Sequence, residues 1–139
     1  MKMTNTIKLT IVALTATFGL AITVAAQATA GSLPPASTKP GVTYATDIKP
    51  IFDASCAKCH TEGKKPKARL ALDSLAGVLK GSKDGQVVVP GDSAKSSLVL
   101  AVAHAGSDPD TFMPKGLGAK KLTDDQIGLI RAWIDQGAK

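Results

Sequence analysis

Apolar residues recur at helical spacing in two stretches of this chain of 139 residues. The first stretch starts near Thr46 and carries Ile48, Ile51, Phe52 and Cys56. The second carries Ile127, Ile130, Trp133 and Ile134, and it follows a Thr-Asp-Asp-Gln sequence at 123–126 that has the pattern of a capping box. We therefore predict two amphipathic helices, the first capped by Thr46 or Asp47 and the second stopped by Gly137.

Two shorter helices are predicted between these stretches. One covers residues 72–80 and ends at Gly81. The other starts at Asp92 or Ser93, ends near Gly106, and carries Leu98, Val99 and Val102. Residues 62–69 and 108–118 are charged or rich in proline and glycine and are predicted loops, and residues 87–89 form a short extended piece. The pattern as a whole predicts an all-α domain.

The first 30 residues have the composition of a secretory signal. Lys2 and Lys8 precede an apolar stretch at 9–26, and small residues follow it up to Ala30. We interpret residues 1–30 as a signal peptide, residues 31–43 with their three prolines as a flexible linker, and residues 44–139 as one folded domain. Because the apolar stretch is long for a signal, an uncleaved membrane anchor is the alternative. Either interpretation places the domain in the periplasm or otherwise outside the cytoplasm.

The two cysteines of the chain lie in the run Cys56-Ala57-Lys58-Cys59-His60. C-x-x-C-H is the pattern for covalent haem attachment, in which each thiol adds to one vinyl group and the histidine binds the iron. A zinc site needs four ligands, and outside this run the domain offers only His104 as a nitrogen or sulfur donor of the usual kind. A thioredoxin-like cysteine pair would accompany a β-α-β arrangement, and the sequence predicts none. The run therefore predicts one haem c, with Cys56 and Cys59 as anchors and His60 as the proximal iron ligand.

A second axial ligand is needed for a haem that only passes electrons, and the domain offers Met113 and His104. Met113 precedes Pro114, which disfavours a helical conformation, so we expect its thioether on a stiff, extended loop opposite His60. His104 lies late in a predicted helix, where most histidines bind no metal. We therefore favour Met113 as the distal ligand to the iron, with His104 as the alternative. A neutral sulfur ligand would favour ferrous iron and raise the reduction potential.

Several segments together resemble a known family. A helix leading into C-x-x-C-H, a later Met-Pro loop and a closing amphipathic helix resemble class I c-type cytochromes over about residues 44–138. A closer resemblance, to the planctomycete-type cytochrome c domain, comes from the segments at 47–51, 90–92, 96–98, 112–114, 122–123 and 133–138. The resemblance implies a small class I cytochrome c-like fold of three to five helices around one covalently bound haem. It also implies that Phe52, Ile130 and Trp133 pack where the first and last helices cross.

The proximal histidine of such a site usually donates its other ring N–H to a backbone carbonyl. We expect the acceptor in the loop after the cysteines, in the region of Pro66. The sequence alone does not identify it.

The predicted activity is the transfer of one electron at a time between exported or membrane redox partners, and not catalysis. With His60 and Met113 both on the iron, no position is left for a small-molecule substrate, and the sequence has no G-x-S-x-G motif and no second haem motif. The alternative is a haem-based enzyme or gas-binding protein with an open distal site. That alternative requires Met113 to be off the iron.

Charge indicates the kind of partner. Without the leader, the chain has 15 basic and 11 acidic residues and four aromatic residues, which does not fit nucleic-acid binding. Basic residues flank both ligand positions, at Lys58, Lys64, Lys65, Lys67 and Arg69 and again at Lys115, Lys120 and Lys121. We expect these basic residues to attract an acidic redox protein into a short-lived complex. We expect a monomer that meets membranes only through its partners or an uncleaved signal.

Overall fold

The computed structural model describes residues 32–139, and these contain four α-helices. We number them α1 (Lys49–Ser55), α2 (Leu75–Lys80), α3 (Ser97–Ala103) and α4 (Asp124–Asp135). A π-helical turn, Tyr44–Ile48, leads into α1, and single 3-10 turns lie at Glu62–Lys64, Lys67–Arg69, Ser93–Lys95 and Pro109–Thr111. No strand occurs within residues 32–139, so the all-α prediction is confirmed for this part of the chain.

The signal peptide predicted at 1–30 lies outside the described residues. Among residues 32–139, every helix is too short or too polar to cross a bilayer.

The first amphipathic helix starts earlier than predicted. Thr43 caps the π-helical turn by accepting a hydrogen bond from the Thr46 N–H, whereas we expected Thr46 or Asp47 to be the cap. Asp47 instead accepts a hydrogen bond from the Thr43 N–H at 2.9 Å. Pro50 lies in the first turn of α1, where proline is tolerated.

The last amphipathic helix forms as predicted. Thr123 and Gln126 make both hydrogen bonds of the capping box. Gly137 follows the end of α4 with φ +99, a left-handed conformation that suits glycine. Beyond it the chain turns back, so that Trp133 Nε1 and the Tyr44 N–H both donate to the Lys139 carbonyl, at 2.9 and 3.1 Å.

Tyr44 links the two ends of the core. Its ring centroid lies 6.3 Å from that of Phe52 and 5.9 Å from that of Trp133, and both of these residues are fully buried. Its hydroxyl donates to the Leu72 carbonyl at 2.9 Å, which attaches the segment before α2 to the same core. The aromatic contact between the first and last helical segments therefore passes through Tyr44.

The helices α2 and α3 each span fewer residues than predicted. α2 begins only after Ser74, whose side chain caps it, and residues 70–72 are buried outside any helix. Asp92 caps a 3-10 turn, and α3 starts separately at Ser97. The break lies at Ser96, which is fully buried with its hydroxyl bonded to the Asp92 carbonyl and the Val89 N–H.

Residues 32–43 pack against α4, which differs from the flexible linker that we expected. The Ser37 N–H donates to the Gly128 carbonyl at 2.9 Å, and the Gln136 side chain bonds to the backbone of Lys39 and Val42. A Cβ at position 128 would lie 2.8 Å from the Pro35 carbonyl oxygen, so glycine at this position permits the close approach. The segment has few apolar side chains to bury. Hydrogen bonds from its backbone to Gly128 and to the Gln136 side chain hold it against α4.

We predict that Tyr44 titrates well above an ordinary tyrosine. Burial raises the pKa of Tyr44 from 10.0 to about 12, and the charges of Asp53 and Asp73 act in the same direction. The folded protein keeps the proton that the unfolded chain releases, so the free energy of unfolding should fall as the pH rises from 10.0 to about 12. Alkaline titration of phenolate absorbance reports this residue alone, because it is the only tyrosine of the chain.

The Tyr44→Phe variant is the control, because it should abolish the phenolate signal. It should also lower the free energy of unfolding at neutral pH by about 1 kcal/mol, since the Leu72 carbonyl loses its donor. An ordinary pKa in the folded wild-type protein would contradict the prediction.

Candidate functional site

The C-x-x-C-H run forms a tight turn at the end of α1. Cys56 ends the helix, with its N–H donating to the Phe52 carbonyl at 2.7 Å. The Cys56 carbonyl then accepts hydrogen bonds from the N–H groups of Cys59 and His60, at 3.1 and 3.0 Å. This one carbonyl holds the turn closed, so both thiols and the imidazole project from a single turn of backbone.

The two thiols have different surroundings. Cys56 is buried in the hydrophobic core, and this burial raises the pKa of its thiol from 9.0 to about 11. Cys59 is exposed. The sulfurs are not joined to each other, so both thiols are available to form thioethers. The two predicted anchors therefore differ in position, with Cys56 on the core side of the turn and Cys59 on the solvent side.

The imidazole of His60 is already oriented by a backbone group. Its side chain is nearly buried, and Nδ1 donates to the Leu70 carbonyl at 3.0 Å. A carbonyl oxygen can only accept, so the proton is on Nδ1 and the lone pair is on Nε2. Within residues 32–139 no protein group is hydrogen-bonded to Nε2. The ring is therefore in the tautomer that a metal ligand needs.

The acceptor, Leu70, is a residue that sequence reasoning missed. We expected it near Pro66, four residues earlier in the same loop. The loop turns back through three non-glycine residues in left-handed conformations, Lys65, Ala68 and Arg69, with φ between 51 and 56. Side-chain patterns do not indicate such conformations at lysine, alanine and arginine.

Backbone hydrogen bonds hold this loop in place. The Lys67 N–H donates to the Cys59 carbonyl at 2.9 Å, and the Leu72 N–H donates to the His60 carbonyl at 2.7 Å. A third bond, from the Lys83 N–H to the Ala68 carbonyl at 2.7 Å, joins the loop to the turn after α2. Each left-handed non-glycine residue costs on the order of 1 kcal/mol, so these bonds offset a strain that aims the Leu70 carbonyl at His60.

Met113 lies on a separate part of the fold, next to the end of α3. Its side chain is partly buried against the hydrophobic core, and its N–H donates to the Ala101 carbonyl at 3.0 Å. Phe112 before it has extended backbone, and the Met113–Pro114 peptide bond is cis. No hydrogen bond within the described residues joins Met113 to the turn that carries Cys56, Cys59 and His60.

The side chain of His104, the other histidine, is hydrogen-bonded to a backbone carbonyl. It lies at the C-terminal cap of α3 rather than inside the helix as predicted. Its Nε2 is 2.9 Å from the Met113 carbonyl oxygen and must donate to it. Its ring is stacked on Phe112 with a centroid distance of 4.8 Å and an interplanar angle of 2°.

The donor set fits a covalently held haem better than a bare metal ion. Within residues 32–139 no three His, Cys, Asp or Glu side chains lie close enough together to hold a metal ion. The turn instead offers two thiols for thioether bonds and one imidazole with a free Nε2. A surface cavity of about 430 Å³ lies beside the loop and α2, but none of the four predicted site residues lines it.

A C-x-x-C-H turn at the end of a helix is typical of one class of protein, the c-type cytochromes. Residues 56–116 match the model of the family described as planctomycete cytochrome C, which confirms the resemblance seen in the sequence. The matched segment begins at Cys56 and extends past Met113, so it includes all four predicted site residues. Neither a search of curated proteins nor a search of solved structures found a match.

We predict that the mature protein keeps its haem after denaturation. Both cysteines should be used as thioether anchors, so the mature protein should contain no titratable thiol and should gain the mass of one haem. Haem staining of a denaturing gel, thiol titration and mass spectrometry measure these three results. Replacing both cysteines by alanine should abolish the stain, and Ser97→Ala, an exposed change at the start of α3, should leave it unchanged.

Proposed function

We propose that this chain is an exported monohaem cytochrome c that transfers one electron at a time, with His60 and Met113 as axial ligands. The observation that carries the proposal is the state of His60. Nδ1 donates to the Leu70 carbonyl at 3.0 Å, and Nε2 is free on the same turn that carries both thiols. The two thiols on the same turn distinguish His60 from a histidine that is buried only for packing.

On the proximal side, the chain orients the ligand and tunes it. The Leu70 carbonyl fixes the ring orientation and makes Nε2 a stronger donor, as the outer partners of metal-bound histidines do. The bound haem supplies reversible one-electron chemistry between ferric and ferrous iron. Because the loop holding Leu70 is tied to the turn at Cys59 and His60, the imidazole keeps its orientation in both oxidation states.

On the distal side, Met113 is the proposed sixth ligand. Its side chain is only partly buried, and its backbone is fixed to the end of α3 by the bond to Ala101. A thioether is neutral and soft, so it stabilises the ferrous state. With both axial positions filled by the chain, the protein would act as a carrier and not as an enzyme.

The leader supports an exported location. Residues 1–30 have the features of a secretory signal, and bacterial thioether attachment takes place after export. The exposed and buried thiols of one turn would then meet haem in the compartment where attachment occurs.

The charged surface supports an acidic redox partner. The eight basic residues that flank the two ligand positions are all exposed, five in the segment 58–69 and three in the segment 115–121. The four salt bridges within residues 32–139 use other lysines, at positions 39, 49, 83 and 95. These eight cations are therefore left uncompensated by carboxylates, and their attraction would accelerate encounters with an anion.

We predict that Met113→Ala opens the sixth position. The oxidised variant should lose the weak sulfur-to-iron absorption at the red end of the visible spectrum, and its reduction potential should fall by on the order of 0.1 V. The reduced variant should bind carbon monoxide, whereas the reduced wild-type protein should not. Optical spectroscopy and a redox titration measure both effects.

Leu117→Ala is the matched control, because Leu117 is a fully exposed apolar residue in the same loop. It should keep the spectrum, the potential and the resistance to carbon monoxide. Ready binding of carbon monoxide by the reduced wild-type protein would contradict the carrier and would instead indicate a gas-binding protein or enzyme with an open distal site.

We predict that electron transfer to an anion depends on ionic strength. The rate of oxidation by hexacyanoferrate(III) should fall by at least about tenfold between 0.01 and 1 M salt, because salt screens the attraction. Oxidation by a cationic cobalt(III) complex should show the opposite trend. Stopped-flow absorbance of the haem follows both reactions.

One double variant and one single variant separate the effect of the local charges from that of the net charge. Lys64→Gln with Lys67→Gln should slow the reaction with hexacyanoferrate(III) at low salt, while Lys95→Gln, which removes a lysine paired with Asp92, should change it little. Equal effects per charge removed would mean that only the net charge matters. That result would overturn the proposed role of the flanking lysines.

A further inference from the structure

His104 has a left-handed backbone conformation, which is uncommon for a residue other than glycine. It ends α3 in a left-handed conformation, with φ 55 and ψ 40, and its N–H bonds to the Leu100 and Ala101 carbonyls. Helices commonly end in this way, but with glycine at this position, because a side chain is strained there. Glycine would suit this backbone better than histidine, so the contacts of the imidazole are the feature that sets this cap apart.

Those contacts all lead to the loop that carries Met113. The imidazole Nε2 donates to the Met113 carbonyl at 2.9 Å, and the Met113 N–H donates to the Ala101 carbonyl at 3.0 Å. Both backbone polar groups of Met113 are thus bonded to the last turn of α3 and its cap. In addition, the imidazole ring is stacked parallel on Phe112, the residue before Met113.

The helix to which Met113 is attached is itself rigidly held. Leu98, Val99 and Val102 of α3 are buried in the hydrophobic core, and α3 packs against α4. In contrast, residues 115–121 beyond Met113 are exposed throughout. The contacts of His104 therefore lie at the boundary between a rigid helix and an exposed loop.

We propose that His104 is a positioning residue that holds Met113 where its thioether can remain on the iron. The inference rests on the proposed function, because it takes Met113 as the distal ligand. His104 itself does not bind the iron, since its Nε2 is committed to the Met113 carbonyl. The bond and the stacked ring restrict Met113 and Phe112 together, so loss of the imidazole favours release of the thioether.

Competition by imidazole added to the oxidised holoprotein measures this effect. Imidazole nitrogen replaces the Met113 sulfur on the iron without any change of oxidation state, so its apparent Kd reports how firmly Met113 is held. Removing one hydrogen bond of this kind should lower the apparent Kd by roughly three- to tenfold. The absorption of the oxidised protein at the red end of the spectrum should disappear in step with binding.

Three variants of His104 separate positioning from stability. His104→Gly and His104→Asn both suit the left-handed backbone but cannot reach the Met113 carbonyl. Relief of the backbone strain should offset the lost contacts, so the unfolding free energy should change little while the apparent Kd of imidazole falls. His104→Gln places an amide N–H as far along its side chain as Nε2 and should keep the apparent Kd close to that of the wild-type protein. The unfolding free energy is measured with denaturant for each holoprotein.

Each outcome bears on one proposal. If His104→Gly and His104→Asn leave the apparent Kd unchanged while Met113→Ala lowers it, the positioning role is wrong and the ligand assignment stands. If His104→Gln lowers it as much as His104→Gly, the hydrogen bond is not the cause and the positioning role is again wrong. If Met113→Ala itself changes neither the spectrum nor imidazole binding, the distal ligand assignment fails.

Discussion

The hydrogen bond from His60 Nδ1 to the Leu70 carbonyl is the interaction on which the site depends. It places the proton on one ring nitrogen and leaves the other available, so it decides whether the imidazole can serve as a ligand at all. The chain reaches this geometry through three left-handed non-glycine residues, which only the surrounding backbone hydrogen bonds make tolerable. The loop 61–70 therefore does more than connect α1 to α2, because it places the Leu70 carbonyl at His60 Nδ1.

The two proposed ligands, His60 and Met113, belong to different parts of the fold that share one core. The turn with His60 continues α1, and the loop with Met113 is attached to the end of α3. α4 contacts both α3 and the π-helical turn before α1, and its Trp133 packs on Tyr44. The separation between the two proposed ligands is thus set by helix packing, which would suit an electron carrier because such ligands need not move between oxidation states.

Local patterns predicted part of this structure, and the rest depends on backbone contacts that side chains do not reveal. The capping box at Thr123 and the stop at Gly137 involve neighbouring residues, so their pattern was sufficient to locate α4. The family resemblance was likewise visible in short motifs and is confirmed over residues 56–116. The acceptor of the His60 hydrogen bond could not be predicted, because it depends on φ angles at Lys65, Ala68 and Arg69. The π-helical turn was also missed, since its cap, Thr43, lies outside the apolar pattern.

The docking of residues 32–43 along α4 also determines how far the domain can stand from whatever precedes it. Twelve fully extended residues would span about 40 Å. Here hydrogen bonds to Gly128 and Gln136 hold the segment along the surface of the domain, so it does not extend away from it. A retained leader would therefore keep the domain close against the bilayer, where the search for a membrane-bound redox partner becomes two-dimensional.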